Sequence, residues 1–159
     1  MTFADDLLKQ AYFLANKERA NPKQASLRRA VSTAYYALFH LLIGEAVGNL
    51  SVARQRSILA RTFDHGKMRA VCQNHVTEFF KGGAPAAGLQ LQNVAHAFDI
   101  LQQQRHKADY DNGFVWLRIN AIGQVDIAST AFTDWRAVRG TDAAQDYLLA
   151  LFLPRTPRI

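Results

Sequence analysis

The sequence predicts an all-α fold, an up-and-down antiparallel bundle of four to five long helices with short helices added. Three observations predict it. Apolar residues recur at three- and four-residue spacing through almost every segment. The four prolines, Pro22, Pro85, Pro154 and Pro157, all fall between those segments. No alternating apolar and polar run flanks a hairpin turn, and no internal repeat or low-complexity tract is present.

The first segment, residues 2–18, opens on Thr2 as a cap with acids in its first turn. It places Leu7, Leu8, Ala11, Tyr12, Leu14 and Ala15 on one face. Pro22 disfavours helix at Asn21 and breaks the chain there. Ser26 then caps a helix of about six turns that Gly44 and Gly48 end. Its apolar positions run almost all the way round, so most of it must be covered by other helices, and it is the central helix. A short basic helix follows at 51–62, with Arg54, Arg56 and Arg61 outward. A turn is expected at His65 and Gly66, and then a helix over 67–80 carrying Met68, Val71, Cys72, His75, Val76, Phe79 and Phe80.

The stretch KGGAPAAG at 81–88 reads as a surface loop, since neither a preceding strand nor a glycine fingerprint makes it a phosphate loop. Residues 89–110 form a long helix, which DYDNG at 109–113 ends or kinks. Another long helix is expected over 114–139, tolerating Gly123 at some cost. Gly140 closes it, and residues 140–159 hold a last short helix and the tail PRTPRI. The whole chain, 1–159, reads as one helical domain.

Composition narrows the function classes. The formal charge is +6, with a sequence pI near 9.8, which favours polyanions without identifying one. Cys72 is the single cysteine, so no disulfide or thiolate metal cluster can form within one chain. The five histidines show no metal-binding spacing, so neither metal nor cofactor is expected. The acidic, amphipathic start is unlike a signal peptide, and no unbroken apolar run approaches the roughly 18–20 residues of a membrane span. A cytoplasmic location and no membrane association are the expectation.

Two polar lines lie on otherwise buried faces. On the central helix, Arg29, Ser32, Thr33, Tyr36 and His40 fall within roughly 60° of one another. Either this line is the helix's solvent edge, or it faces a second polar element in a cleft or a subunit interface. On the 89–110 helix, the apolar line Leu91, Val94, Ala95, Phe98 and Leu101 runs on into Gln102, Arg105 and Asp109. An ion pair at the helix end would explain the last two, and so would a polar partner on a neighbouring helix.

These two stretches, RRAVSTAYYALFH at 28–40 and RHKADYD at 105–111, with FDHGKM at 63–68 between them, resemble the HEPN superfamily (higher eukaryote and prokaryote nucleotide-binding domains). The resemblance is to its small stand-alone bacterial members and covers roughly residues 3–138 in helix order. It implies a homodimeric helix bundle whose polar residues line a cleft near the dimer interface. Many members are metal-independent RNases of toxin, defence or RNA-processing systems, with an Arg, four to six variable residues and a His. Others are non-catalytic nucleotide-binding or dimerisation modules.

Arg105 matches the motif's arginine and His106 its polar follower, but Tyr110 stands where the histidine belongs. Tyrosine, with an ordinary pKa near 10, is a poor general base, so phosphate binding survives the exchange better than catalysis does. The candidate catalytic residues are therefore Arg105, His106, Asp109 and Tyr110. The candidate RNA- or nucleotide-binding residues are Arg29, Ser32, Tyr36, His40, His65 and Arg105. The alternative is a non-catalytic interaction module whose partner is another protein, such as a nucleotidyltransferase of a toxin and antitoxin pair.

Overall fold

The computed structural model describes residues 1–80 and 88–153, with backbone alone at 79 and 80. Among the described residues there are seven α-helices and no strand. They are α1 (Phe3–Ala15), α2 (Gln24–Val47), α3 (Ala53–Ala60), α4 (His65–Phe80), α5 (Gly88–Tyr110), α6 (Arg118–Val138) and α7 (Asp142–Phe152). Of the loop expected at 81–88, Gly88 is the first residue of α5 and residues 81–87 lie outside the described residues, as do the tail at 154–159 and the side chains of Phe79 and Phe80.

α2 is the centre, as its all-round apolar pattern requires. It packs against α1, α3, α5, α6 and α7, and α4 is held between α5 and α7. By length and composition α2 is also the one described helix long and apolar enough to cross a membrane, yet 61% of its most apolar window is buried within the fold. That burial is what a core helix shows.

The apolar interior comes in two blocks. The larger joins Tyr35, Leu38 and Leu42 of α2 with Phe98 and Leu101 of α5, Phe132 and Trp135 of α6, and Tyr147 of α7. Cys72 sits in it, fully buried and 2.8 Å from the Tyr147 hydroxyl, its thiol pushed up to about 12 by burial. The smaller block comprises Leu27, Val31, Ala108, Trp116 and Ala121.

Four boundaries differ from the sequence expectation, each for a local reason. α1 ends at Ala15 because Asn16 leaves helical geometry and its side chain bonds back to the Tyr12 carbonyl, 2.9 Å away. Thr2 does cap it, in a capping box with Asp5, whose carboxyl is lowered to about 2 by the Thr2 backbone bond and by Arg136. Ser26 does not cap α2. The cap is Lys23, and the Ser26 hydroxyl donates to Glu18 at 2.7 Å. His65 and Gly66 are not a turn but the first residues of α4, where Asp64 accepts the Lys67 N–H at 2.8 Å.

The fourth difference is the largest. DYDNG does end α5, but α6 starts only at Arg118, because residues 114–117 are not helical and Leu117 is extended. The Gln24 side chain clamps Trp116 on both sides, accepting its N–H at 2.9 Å and donating to its carbonyl at 2.8 Å. This seats the indole, 2% exposed, in the smaller block. α2 runs through Gly44 to Val47, and Gly48 caps its end as expected.

A Cβ at either Gly44 or Gly123 would meet nothing within 4 Å, and both lie inside helices. Glycine there carries the usual helix-interior penalty with no packing reason for it. Gly44→Ala and Gly123→Ala are each expected to raise stability by about 0.5–1 kcal/mol. Urea midpoints read the gain, and a loss at either site would contradict the open space seen there.

Candidate functional site

Where the two apolar blocks meet, the facing positions turn polar. They are Ser32 on α2, Gln102 and Arg105 on α5, and Gln124 on α6. Buried atoms of three of them, Gln102 Oε1, Arg105 Nε and Gln124 Oε1, find no hydrogen-bond partner among the described residues. This polar course explains why the apolar line of α5 ends in charge. It lies at the boundary between two cores and not in the middle of one.

Arg105 is the centre of the site. Its side chain is only 16% exposed, and its guanidinium carbon lies 5.1 Å from the centre of the Tyr35 ring and 5.9 Å from that of Tyr36. Contacts of this kind contribute about 0.5–2 kcal/mol and hold the cation in place. The ion pair to Asp109, one turn on, is long at 3.4 Å, and the same carboxylate oxygen lies 3.5 Å from the Ser32 hydroxyl. The two polar lines therefore face each other across the α2–α5 contact, at Ser32 with Asp109 and at Tyr36 with Arg105.

α4 brings in the third part. His65, at its first position, lies half-buried, stacked on Phe39 with ring centres 4.2 Å apart and edge-on to Tyr36. Its Nδ1 meets the hydroxyl of Tyr35 in a short hydrogen bond. Burial lowers its pKa, and the positive charge of Arg105 lowers it further, with Asp64 opposing and His40 adding a little. Burial also raises the Tyr35 phenol far above its ordinary range, so the hydroxyl keeps its proton.

Tyr35 was not legible as a site residue. It lies on the fully buried side of α2, and the one available signal was that a buried tyrosine hydroxyl needs a partner.

The remaining candidates lie elsewhere. α5 is unbroken through Tyr110, so that residue points about 140° away from Arg105. Tyr110 is 66% exposed and packs on His106, ring centres 4.9 Å apart, as a separate outward pair. Arg29 is exposed at the rim of an open hollow of about 380 Å³ that Asp109 and Tyr110 also line. His40 faces the start of α1, edge-on to Phe3 at 4.9 Å. It lines a different hollow there, and burial lowers its pKa.

Arg28, beside the expected line, is consumed structurally. Its guanidinium donates to the carbonyls of Ala108, Asp111 and Phe114 at 3.0, 2.9 and 2.7 Å. Among the described residues, no three His, Cys, Asp or Glu side chains gather as metal ligands.

Scans of known family models, of curated proteins and of solved structures return no match. What the site can do therefore rests on its own chemistry. The Arg105 guanidinium and the His65 imidazole both lie against the Tyr35 and Tyr36 rings where α2, α4 and α5 meet, and both are donors suited to the oxygens of a phosphate.

Proposed function

We propose that this chain is a HEPN-like helical protein that binds RNA or a nucleotide through the Arg105 cleft, in an up-and-down bundle that works as a homodimer in the cytoplasm. The single observation that carries the reading is the state of Arg105. A largely buried cation is held on two tyrosine rings, with its carboxylate partner at a loose 3.4 Å. A structural ion pair would close to about 2.8 Å, as Arg69 and Asp99 do. Binding without turnover is favoured over RNase action, because Tyr110 and His106 point away from Arg105 and leave His65 as the imidazole beside it.

A second reading has its own support. Val115 and Leu117 in the 114–117 segment and Ile119 in the first turn of α6 are 65%, 58% and 76% exposed, three large apolar side chains close in the chain. Such a patch suits a protein interaction module, whose partner would be another chain such as a nucleotidyltransferase.

One experiment separates the two. The protein and its Arg105→Ala variant are mixed with labelled single-stranded and structured RNA in EDTA at two salt concentrations. The parent chain is expected to bind, more weakly as salt rises. The variant is expected to lose about tenfold to a hundredfold in affinity, the contribution of charge-assisted bonds to one phosphate. Metal-independent cleavage that depends on Arg105 would establish the RNase form. Equal binding by both proteins, or none by either, would overturn the cleft reading in favour of the interaction module.

A further inference from the structure

We propose that Tyr35 is a positioning residue that locks His65 into a single tautomer, with the hydrogen on Nε2, and so presents an N–H donor that works with the Arg105 guanidinium on phosphate oxygens. The proposal rests on the cleft reading above and deepens it, since it assigns the ligand chemistry to particular atoms.

The geometry fixes the roles in order. The Tyr35 side chain is fully buried, and its hydroxyl meets no polar side chain other than Nδ1 of His65 among the described residues. A phenol in that setting donates, so Nδ1 accepts. A neutral imidazole accepting at Nδ1 must carry its hydrogen on Nε2. Stacking on Phe39 at 4.2 Å and 20° and the edge of Tyr36 at 6.1 Å prevent the ring from turning over to exchange its nitrogens.

Nε2 has no partner among the described residues and is not sealed from solvent, in contrast to Nε2 of His75, which is buried and unpaired. It is thus an N–H donor on a ring that shares the neighbours Tyr35 and Tyr36 with the Arg105 guanidinium. Two donors suit a group with several acceptor oxygens. A phosphate matches this better than an amide or a hydroxyl, each of which would also present a donor. The opposite tautomer would put a lone pair beside the same ligand and repel it.

Tyr35 touches no ligand in this scheme, so its effect must pass through the imidazole. The test reads that directly. Nitrogen-15 spectra of the labelled protein give the protonation of each ring nitrogen of His65, and inorganic phosphate serves as the probe. The expected result is a neutral His65 with a bare Nδ1 and a hydrogen on Nε2, whose Nε2 signal moves as phosphate is added.

Tyr35→Phe is expected to give a mixture of tautomers and to weaken phosphate binding about threefold to tenfold, as loss of one neutral hydrogen bond implies. His65→Gln, whose amide nitrogen can stand at the Nε2 position, should keep most of the binding. In that background Tyr35→Phe should cost much less. A hydrogen on Nδ1 in the parent protein would overturn the proposal, and so would a Tyr35→Phe variant with unchanged tautomer and affinity. If phosphate fails to move His65 while Arg105-dependent RNA binding persists, this proposal alone is refuted. If both are absent, the cleft reading falls with it.

Discussion

Phe98→Ala is expected to cost about 3–5 kcal/mol, the range for truncating a fully buried aromatic side chain. For a chain of this size that lowers the melting temperature by roughly 6–20 °C. Phe98 is the place where α5 presses on the centre of α2, its ring 5.5 Å from that of Tyr35. The cavity would therefore open directly behind the tyrosine that carries His65 and Arg105. The loss of stability should come with a weaker response to phosphate even well below the melting point. Thermal unfolding followed by circular dichroism measures the first effect, and the phosphate titration of His65 measures the second. A loss under 1 kcal/mol would mean that the two helices do not bear on each other at this contact.

Arg28→Ala is expected to cost about 2–4 kcal/mol, although no carboxylate pairs with the side chain among the described residues. Three backbone carbonyls, of Ala108, Asp111 and Phe114, accept from this one guanidinium. Each is a charge-assisted bond, and together they satisfy the end of α5 and the two bends that follow it. A cation at a helix C-terminus also suits the helix dipole. Arg28→Lys keeps the charge but offers a single point donor in place of a planar fork. It should recover less than half of the loss. Urea midpoints for the two variants decide the matter, and full rescue by lysine would show that charge, not the three-way geometry, is what counts.

The helices were legible because their apolar spacing is a local property that burial merely enforces. The DYDNG break could be read for the same reason, since turn residues act on their own backbone. What could not be read depended on partners far away in the chain. Ser26 has the chemistry of a cap, yet Glu18 takes its hydroxyl, and nothing in the local sequence announces that. Residues 114–117 have a helical pattern, but Gln24, 92 residues from Trp116, takes up the Trp116 backbone and keeps them out of the helix.

The candidate site divides along the same line. Arg105, Asp109, Ser32 and Tyr36 followed from helical periodicity alone, because polar groups on a buried face must meet something. Tyr110 was grouped with Arg105 by a motif, and an unbroken last turn of α5 keeps them apart. Tyr35 and Arg28 each sit next to a residue on the polar line. One was hidden as a core residue and the other as an ordinary surface cation.

The division of the interior into two apolar blocks has a consequence for cooperativity. The smaller block rests on Leu27, Val31, Ala108, Trp116 and Ala121 and is fastened mainly by the side chains of Gln24 and Arg28. It is expected to open as a sub-global unit while the larger block stays folded, which earlier exchange of its amides with solvent would show. The polar course containing Arg105 is the border of that unit. A ligand seated there would join the two blocks and convert two partly independent transitions into one.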